Sequence, residues 1–324
     1  MKVKTLSAVV CGALLVAGTA HAERIISFAH AASDESHPSA AAKAFGETLD
    51  ELSGGEFVVR ENCCGSLGGE RDMIEGLQIG STDVILTSSG PMGNFEPATY
   101  VFDLPFLFSS YEQAYAVLDG PIGQEILGKL SDSNIIGLAW ADNGFRHLTN
   151  SRNEVHKPSD VDGMTIRTME NEIHMEAFRL LGARPTPMPF PEVFTALQQG
   201  AVDAQENPLS LIISSRFFEA QEHLSLTGHV YSPGLILASP ILWDRLSEEE
   251  QGWVTEAAQA GAAASREHIQ RLKREGVERL RGKGMTVITD VDIGPFQEQM
   301  QPVYESFREQ YGDEMLDRIL AFEY

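Results

Sequence analysis

The chain has 324 residues, 43 % hydrophobic and 22 % charged, with 29 glycines, 15 prolines and three cysteines. That is ordinary globular composition with enough apolar material for one or two cores, which excludes a disordered or fibrous protein. With 24 Lys and Arg against 47 Asp and Glu, the formal net charge is −23. So negative a surface repels phosphate backbones and anionic lipid, arguing against nucleic-acid and membrane-surface partners.

Residues 1–22 read as a secretory signal. Lys2 and Lys4 precede an apolar run over 6–17, and Ala20-His21-Ala22 has the small-x-small form of a cleavage site. The run is too short to cross a hydrocarbon core of about 30 Å. From Arg24 the pattern alternates between strand and helix: a strand over 24–30, a helix over 39–52 stopped by Gly54-Gly55, a strand over 56–61, a helix over 70–78 and a strand over 83–87. After a loop around 102–108, strands are expected over 135–140, 145–148 and 164–168, then a helix over 173–181, a strand over 186–188, a helix over 192–199 and a strand over 203–206. Pro208 suits the start of the next helix. The alanine-rich stretch 247–280 is one long helix or two packed end to end, and its segment 257–264 allows another backbone to come close. A strand over 285–289 and a helix over 294–311 close the chain. Such alternation predicts a mostly parallel sheet covered on both faces, with ligand at the carboxyl ends of its strands.

Cys11 falls within the signal, and the adjacent Cys63 and Cys64 are expected to be reduced, with one side chain in the core, rather than joined as a vicinal disulfide. No metal site is expected, because two neighbouring thiols and nine dispersed histidines lack ligand spacing. Dinucleotide and P-loop fingerprints, a His-Glu-x-x-His and a Gly-x-Ser-x-Gly elbow are all absent from the sequence, so no cofactor and no catalytic centre is expected. Basic residues near strand ends remain. Arg146, after Asn143-Gly144-Phe145, and Arg167, in Gly163-Met-Thr-Ile-Arg167, could hold an organic carboxylate through their planar forks. The alternative for each is a salt bridge to one of the plentiful acids.

The chain closely resembles the DctP-type solute-binding subunits of tripartite ATP-independent periplasmic (TRAP) transporters. The matching pieces are Phe28-Ala-His30 with His37-Pro38, Gly65-Ser-Leu-Gly68-Gly-Glu70-Arg71, Glu75-Gly-Leu-Gln-Ile-Gly80 with Asp83, and Asp103-Leu-Pro-Phe106. They continue through Gly144-Phe-Arg146 and Arg167-Thr-Met to the most specific run, Pro189-Phe-Pro-Glu-Val-Phe194 through Asp203-Ala-Gln-Glu-Asn207-Pro208. This resemblance implies an α/β periplasmic binding protein fold, two domains around a central cleft with a long helix spanning both. The expected division is about 23–145 plus 235–270 for the first domain and about 146–234 plus 271–324 for the second.

The resemblance also implies a set of ligand contacts. Arg167 is the principal carboxylate clamp, Arg146 the second basic contact, and Asn207 the amide at the carboxylate or its neighbouring hydroxyl. Glu70 would accept from ligand hydroxyls, or serve only as an acid at a helix N-terminus. Ser88 and Ser89 would add polar contacts, Phe190 would pack on the ligand body or in the core, and His30 would donate to a hydroxyl. Met169, Glu170, Trp140 and Trp243 are further residues for the pocket wall. The implied function is capture of an organic acid in the periplasm, a uronate or aldonate ahead of a C4-dicarboxylate or other hydroxy acid, and its delivery by a monomer to a small and a large integral-membrane subunit. A ligand-presenting sensor component and an exported sugar-acid enzyme are the alternatives from other classes.

Overall fold

A computed structural model describes residues 23–324, so the expected signal segment 1–22 lies outside the described residues. The chain opens with β1 (Arg24–Ala29), α1 (His37–Ser53), β2 (Phe57–Asn62), α2 (Glu70–Ile79) and β3 (Val84–Ser88), the expected order. Gly54 and Gly80 end the two helices at φ 62° and 73°, a left-handed conformation that glycine adopts at little cost. Next come α3 (Ser89–Met92), a 3-10 turn at Pro97–Asp103, α4 (Tyr111–Asp119) and α5 (Pro121–Lys129). The last two were not expected from the sequence. They are nine-residue helices parted by Gly120, too short for their apolar period to stand out.

Two strands expected over 135–148 form one 15-residue strand, β4 (Ile136–Asn150), which shifts register at three points and turns through Gly144 at φ 107°. β5 (Thr165–Thr168), α6 (Glu172–Leu180), β6 (Arg184–Pro187), α7 (Val193–Gln198), β7 (Ala204–Asn207) and α8 (Leu209–Ser214) follow. The sequence gives no sign of the next element, β8 (His223–Ala238), because Ser232-Pro233-Gly234 interrupts it and its second half is buried on both faces, which removes the apolar-polar alternation. The chain ends with α9 (Pro240–Trp243), α10 (Glu248–Gly282), β9 (Thr286–Ile288), α11 (Ile293–Met300), α12 (Pro302–Tyr311) and α13 (Glu314–Leu320). Pro302 divides the single helix expected over 294–311.

The sheet runs β2-β1-β3-β8-β4-β7-β5-β6, with β9 beside β8. It is parallel toward each end, where β1 lies between β2 and β3 and β5 between β6 and β7, but antiparallel wherever β4 or β8 joins β3, β7 or each other. Five of the eight strand pairings are parallel, as expected, but two long strands run antiparallel between the parallel ends and make the sheet mixed.

A third crossing is α10, one continuous helix. Its start is a capping box, in which Ser247 Oγ accepts from the Glu250 N–H and the Glu250 carboxylate accepts from the Ser247 N–H at 2.7 Å. On the first lobe it packs so closely on α1 that a Cβ at Gly261 would lie 2.9 Å from the Ala41 carbonyl oxygen. At its other end Gly276 abuts Leu209 of α8, in the second lobe. The two cysteines also differ from expectation. Cys63 and Cys64 are joined as a vicinal disulfide in the turn after β2, and neither is buried.

Candidate functional site

One cavity between the lobes collects residues from four strand ends. It is lined by His30 after β1, Glu70 at the start of α2, Ser88 at the end of β3, Arg146 on β4, Arg167 on β5, Phe190 after β6 and Asn207 at the end of β7. Parallel strands bring His30, Ser88, Arg167 and Asn207 there as the rule for carboxyl ends predicts. Arg146 arrives differently, from the middle of an antiparallel crossing strand. Its approach depends on Gly144, where a Cβ would press on the Tyr111 hydroxyl at 3.1 Å in a backbone that disfavours side chains.

Arg146 is fully buried and has a carboxylate partner. Its Nε and Nη2 donate to Glu206, Nη2 at 2.9 Å to Oε1, and Nη2 also donates to the Glu206 carbonyl oxygen at 2.6 Å and to Asn207 Oδ1 at 3.1 Å. Glu206 also lies 3.2 Å from His229 Nε2. Burial opposes ionisation of Glu206, but the Arg146 charge and the hydrogen bonds from His229 and Arg146 outweigh it and hold the carboxyl well below its ordinary range. Only Nη1 of Arg146 is left, buried and without a partner among the described residues.

Arg167 is equally buried, and no carboxylate meets it within ion-pair distance among the described residues. Its Nε and Nη2 both donate to the Met188 carbonyl oxygen, at 3.0 and 2.6 Å, and the Phe190 ring centre lies 5.9 Å from the guanidinium carbon. Nη1 again has no partner among the described residues. Burial of the unneutralised charge pushes its pKa down to about 10. A buried guanidinium held by one carbonyl and an aromatic face is a cation short of an anion, and leaving its donor unmatched costs roughly 1–3 kcal/mol.

Across the cavity, Glu70 Oε1 accepts three hydrogen bonds, from Thr87 Oγ1 at 3.1 Å and from both the amide and hydroxyl of Ser88 at 2.8 Å. Oε2 has no protein donor among the described residues. The Ser88 proton therefore points to Glu70, leaving the hydroxyl oxygen to accept. His30 Nε2 lies 3.0 Å from Glu61 Oε1, while its buried Nδ1 has no protein partner. Since the carboxylate accepts from Nε2–H, Nδ1 offers a lone pair, so His30 presents an acceptor rather than the donor expected. Burial lowers its pKa and keeps the ring neutral. Asn207 commits Oδ1 to Arg146 and one N–H to Gln205 Oε1 at 2.6 Å, which leaves its second N–H.

One predicted contact is overturned. Ser89 is fully buried outside the cavity, because the chain turns into α3 after Ser88 and sends the next side chain the other way, where Oγ donates to Asp103 Oδ1 at 2.7 Å. Of the further wall residues, Met169 lines the cavity and touches Ser88 through its sulfur at 3.3 Å, whereas Trp140 is in the core with its indole N–H on the Gly123 carbonyl oxygen. Trp243 packs against the apolar core beside α1 and α10. Glu170 is at the rim of the cleft, where it pairs with Arg71 at 3.4 Å. Sequence reasoning missed Asn143, which also lines the cavity, and gave Glu206 no role. Their only trace was membership in the motifs around Arg146 and Asn207.

Behind the arginines is a buried polar layer that joins the lobes. Asn171, which caps α6, donates to Asp103 Oδ2 at 2.8 Å and to the Gly90 carbonyl oxygen at 3.0 Å. Burial raises the Asp103 pKa to about 7 against the bonds from Ser89 and Asn171. Among the described residues no cluster of His, Cys, Asp and Glu could hold a metal ion, and no helix is long and apolar enough to cross a membrane.

Two lobes joined by three crossings, with a buried cavity between them that holds two arginines, are the architecture of a solute-binding protein. The chain belongs to the bacterial extracellular solute-binding protein family 7, the DctP family, whose model matches residues 28–310. It is 44 % identical to a solute-binding protein of Verminephrobacter eiseniae over 93 % of this chain and 90 % of that one. It is 34 % identical to the 2,3-diketo-L-gulonate-binding periplasmic protein of Escherichia coli, over 89 % and 90 % of the two chains. A TRAP periplasmic solute-binding protein from a Polaromonas species, solved bound to D-erythronate, superposes with a TM-score of 0.91 at 42 % identity, covering 93 % of this chain and all of that one. The protein is thus a periplasmic solute-binding protein and not an enzyme.

Proposed function

We propose that the protein captures a hydroxylated monocarboxylate, a sugar acid of the aldonate or uronate kind, and delivers it as a monomer to the small and large membrane subunits of a TRAP transporter. The observation that carries this is the pair of unpartnered Nη1 groups on Arg146 and Arg167 in one buried cavity. Arg167, lacking a carboxylate of the protein, takes the ligand carboxylate as its counterion. Arg146 Nη1 and the second N–H of Asn207 add donors to the carboxylate and its neighbouring hydroxyl.

The far wall favours hydroxyls over a second carboxylate. Glu70 Oε2, Ser88 and His30 Nδ1 are acceptors, and the cavity's two histidines, His30 and His37, are kept neutral by burial. A dicarboxylate would bring its second charge against Glu70, and the neighbouring Arg71 is already paired with Glu75 and Glu170. D-Erythronate on the Polaromonas protein and 2,3-diketo-L-gulonate on the Escherichia coli one are both single acids bearing several oxygens, which agrees with such a wall. Phe190 and Met169 cover the ligand body, and closure between the lobes excludes water and strengthens each charged hydrogen bond. The first domain, about 23–145 plus 235–270, and the second, about 146–234 plus 271–324, are the bodies that move. The membrane subunits then recognise the closed, loaded form.

The test is mass spectrometry of small acids released from the denatured protein, followed by calorimetric titration of ligand-free wild type and Arg167→Ala. One unchanged sugar acid, bound stoichiometrically and weakened about 100-fold or more by Arg167→Ala, is expected. Equal binding by both proteins would place the ligand elsewhere, and preference for succinate over aldonates would return the reading to a dicarboxylate.

A further inference from the structure

A second cavity, of about 520 Å³, shares no lining residue with the arginine pocket. The two are back to back. Along β4, Arg146 faces the first cavity while its neighbours Phe145 and His147 line the second, as alternation of strand side chains requires. The partition is thin: Ser210 lines the second cavity, and its hydroxyl lies 3.3 Å from Nδ1 of His37, which lines the first.

The walls of this second cavity are chiefly aromatic and aliphatic, and its polar groups suit one anion. Phe108 and Tyr111 from the first lobe and Phe145 from the crossing strand form an edge-to-face cluster around Tyr231. Lys273 of α10 stands over the Tyr111 ring with Nζ 4.8 Å from its centre. Like Lys43, Lys157 and Lys283, Lys273 has no carboxylate within ion-pair distance among the described residues, but it alone of these lines the cavity. His147 Nδ1 accepts from the Gly228 N–H at 3.0 Å, which leaves Nε2–H as a donor.

We propose that this cavity is a second binding site, for an aromatic monocarboxylate whose ring packs on Phe108, Tyr111 and Phe145 and whose carboxylate meets Lys273. Aromatic rings match edge-to-face walls, and the ammonium, rather than any second charge, limits the ligand to a single acid. The site lies on the hinge. Thr227 and Gly228 of β8, the β4 residues and the α10 face are the crossing segments themselves, while Tyr111 and Gln297 bring in the two lobes. A rotation that opens the arginine cleft about these crossings narrows the space behind them. An occupant of the second cavity therefore favours the closed cleft, and by reciprocity the cleft ligand favours that occupant.

The experiment titrates full-length mature protein, freed of cleft ligand, with 4-fluorophenylacetate followed by fluorine NMR, and repeats it on Lys273→Gln, Gln297→Trp and Arg167→Ala. Wild type and Arg167→Ala should bind alike, Lys273→Gln about 10-fold more weakly, and Gln297→Trp, whose indole fills the cavity, not measurably. Saturation of the site should also tighten the cleft acid's dissociation constant several-fold. Absence of binding to wild type overturns the proposal. So does binding that survives Lys273→Gln and disappears in Arg167→Ala, since the probe is then in the cleft. Because the probe is read without any cleft ligand, failure of the sugar-acid assignment leaves this result standing.

Discussion

Arg146 and Arg167 are two buried guanidiniums in one cavity, each with one nitrogen unmatched, yet their surroundings differ in charge. Arg146 is neutralised by Glu206, itself held by His229, so it is part of the structure whether or not a ligand is present. Arg167 rests on a carbonyl oxygen and an aromatic ring, and no carboxylate among the described residues compensates its charge. Burial and residue type are alike at the two positions. What separates scaffold from receptor is whether the protein supplies the counterion.

Removing each charge in turn tests that difference. The largest effect is expected from Arg146→Met, which leaves Glu206 ionised in the core and should lower folding stability by about 3–5 kcal/mol, with Glu206→Leu restoring much of the loss in the double variant. Chemical denaturation of the two single variants and the double reads this, and a stable Arg146→Met would dissolve the contrast. Arg167→Ala should weaken the ligand by about 3 kcal/mol yet leave the melting temperature of the ligand-free protein unchanged or raised, because a desolvated, unpaired charge is removed. Unfolding of Arg167→Ala comparable with that of Arg146→Met would make both arginines scaffold.

Smaller effects sharpen the picture on the opposite wall. Glu70→Gln should cost about 1–2 kcal/mol for an acid with several hydroxyls and little for its deoxy analogue, measured by parallel titrations. Equal losses for both would make Glu70 only the anchor of Ser88. The smallest effect concerns pH. Asp103 is raised from 3.8 to about 7, so the folded state holds its proton where the unfolded chain has lost it. Its contribution to stability is complete below pH about 4 and disappears as pH rises through 7. Burial lowers the His174 pKa to about 3, which acts in the opposite sense, so the informative quantity is the difference between wild type and Asp103→Asn. That difference should shrink steadily from pH 4 to 7, and a flat difference would show that Asp103 is ionised throughout.

Much of the site was legible because its residues end strands whose boundaries are local. His30 and Ser88 each follow a short apolar run, Arg167 and Asn207 lie in short strands, and the resemblance to the DctP family selected them among many polar residues. Ser89 shows where this stops. A one-residue step around the end of β3 reverses a side chain, and nothing in Ser88-Ser89 indicates which serine faces the cavity. Glu206 was invisible for a related reason: an acid in a strand of a chain with 47 acids has no mark of burial until β4 is laid beside β7 and Arg146 reaches it.

The sequence by itself determined the elements governed by near neighbours along the chain: the glycine stop of α1, the helical stretch that forms α10, the β/α alternation and the position of two arginines near strand ends. Tertiary structure alone decided the antiparallel passage of β4 and β8 through the sheet, the closing of Cys63 on Cys64, and which donors of each guanidinium remain for a ligand. The physical reason is range. Caps, turns and amphipathic faces arise between residues a few positions apart, whereas the counterion of Arg146 is 60 positions away and is found only when the strands pair.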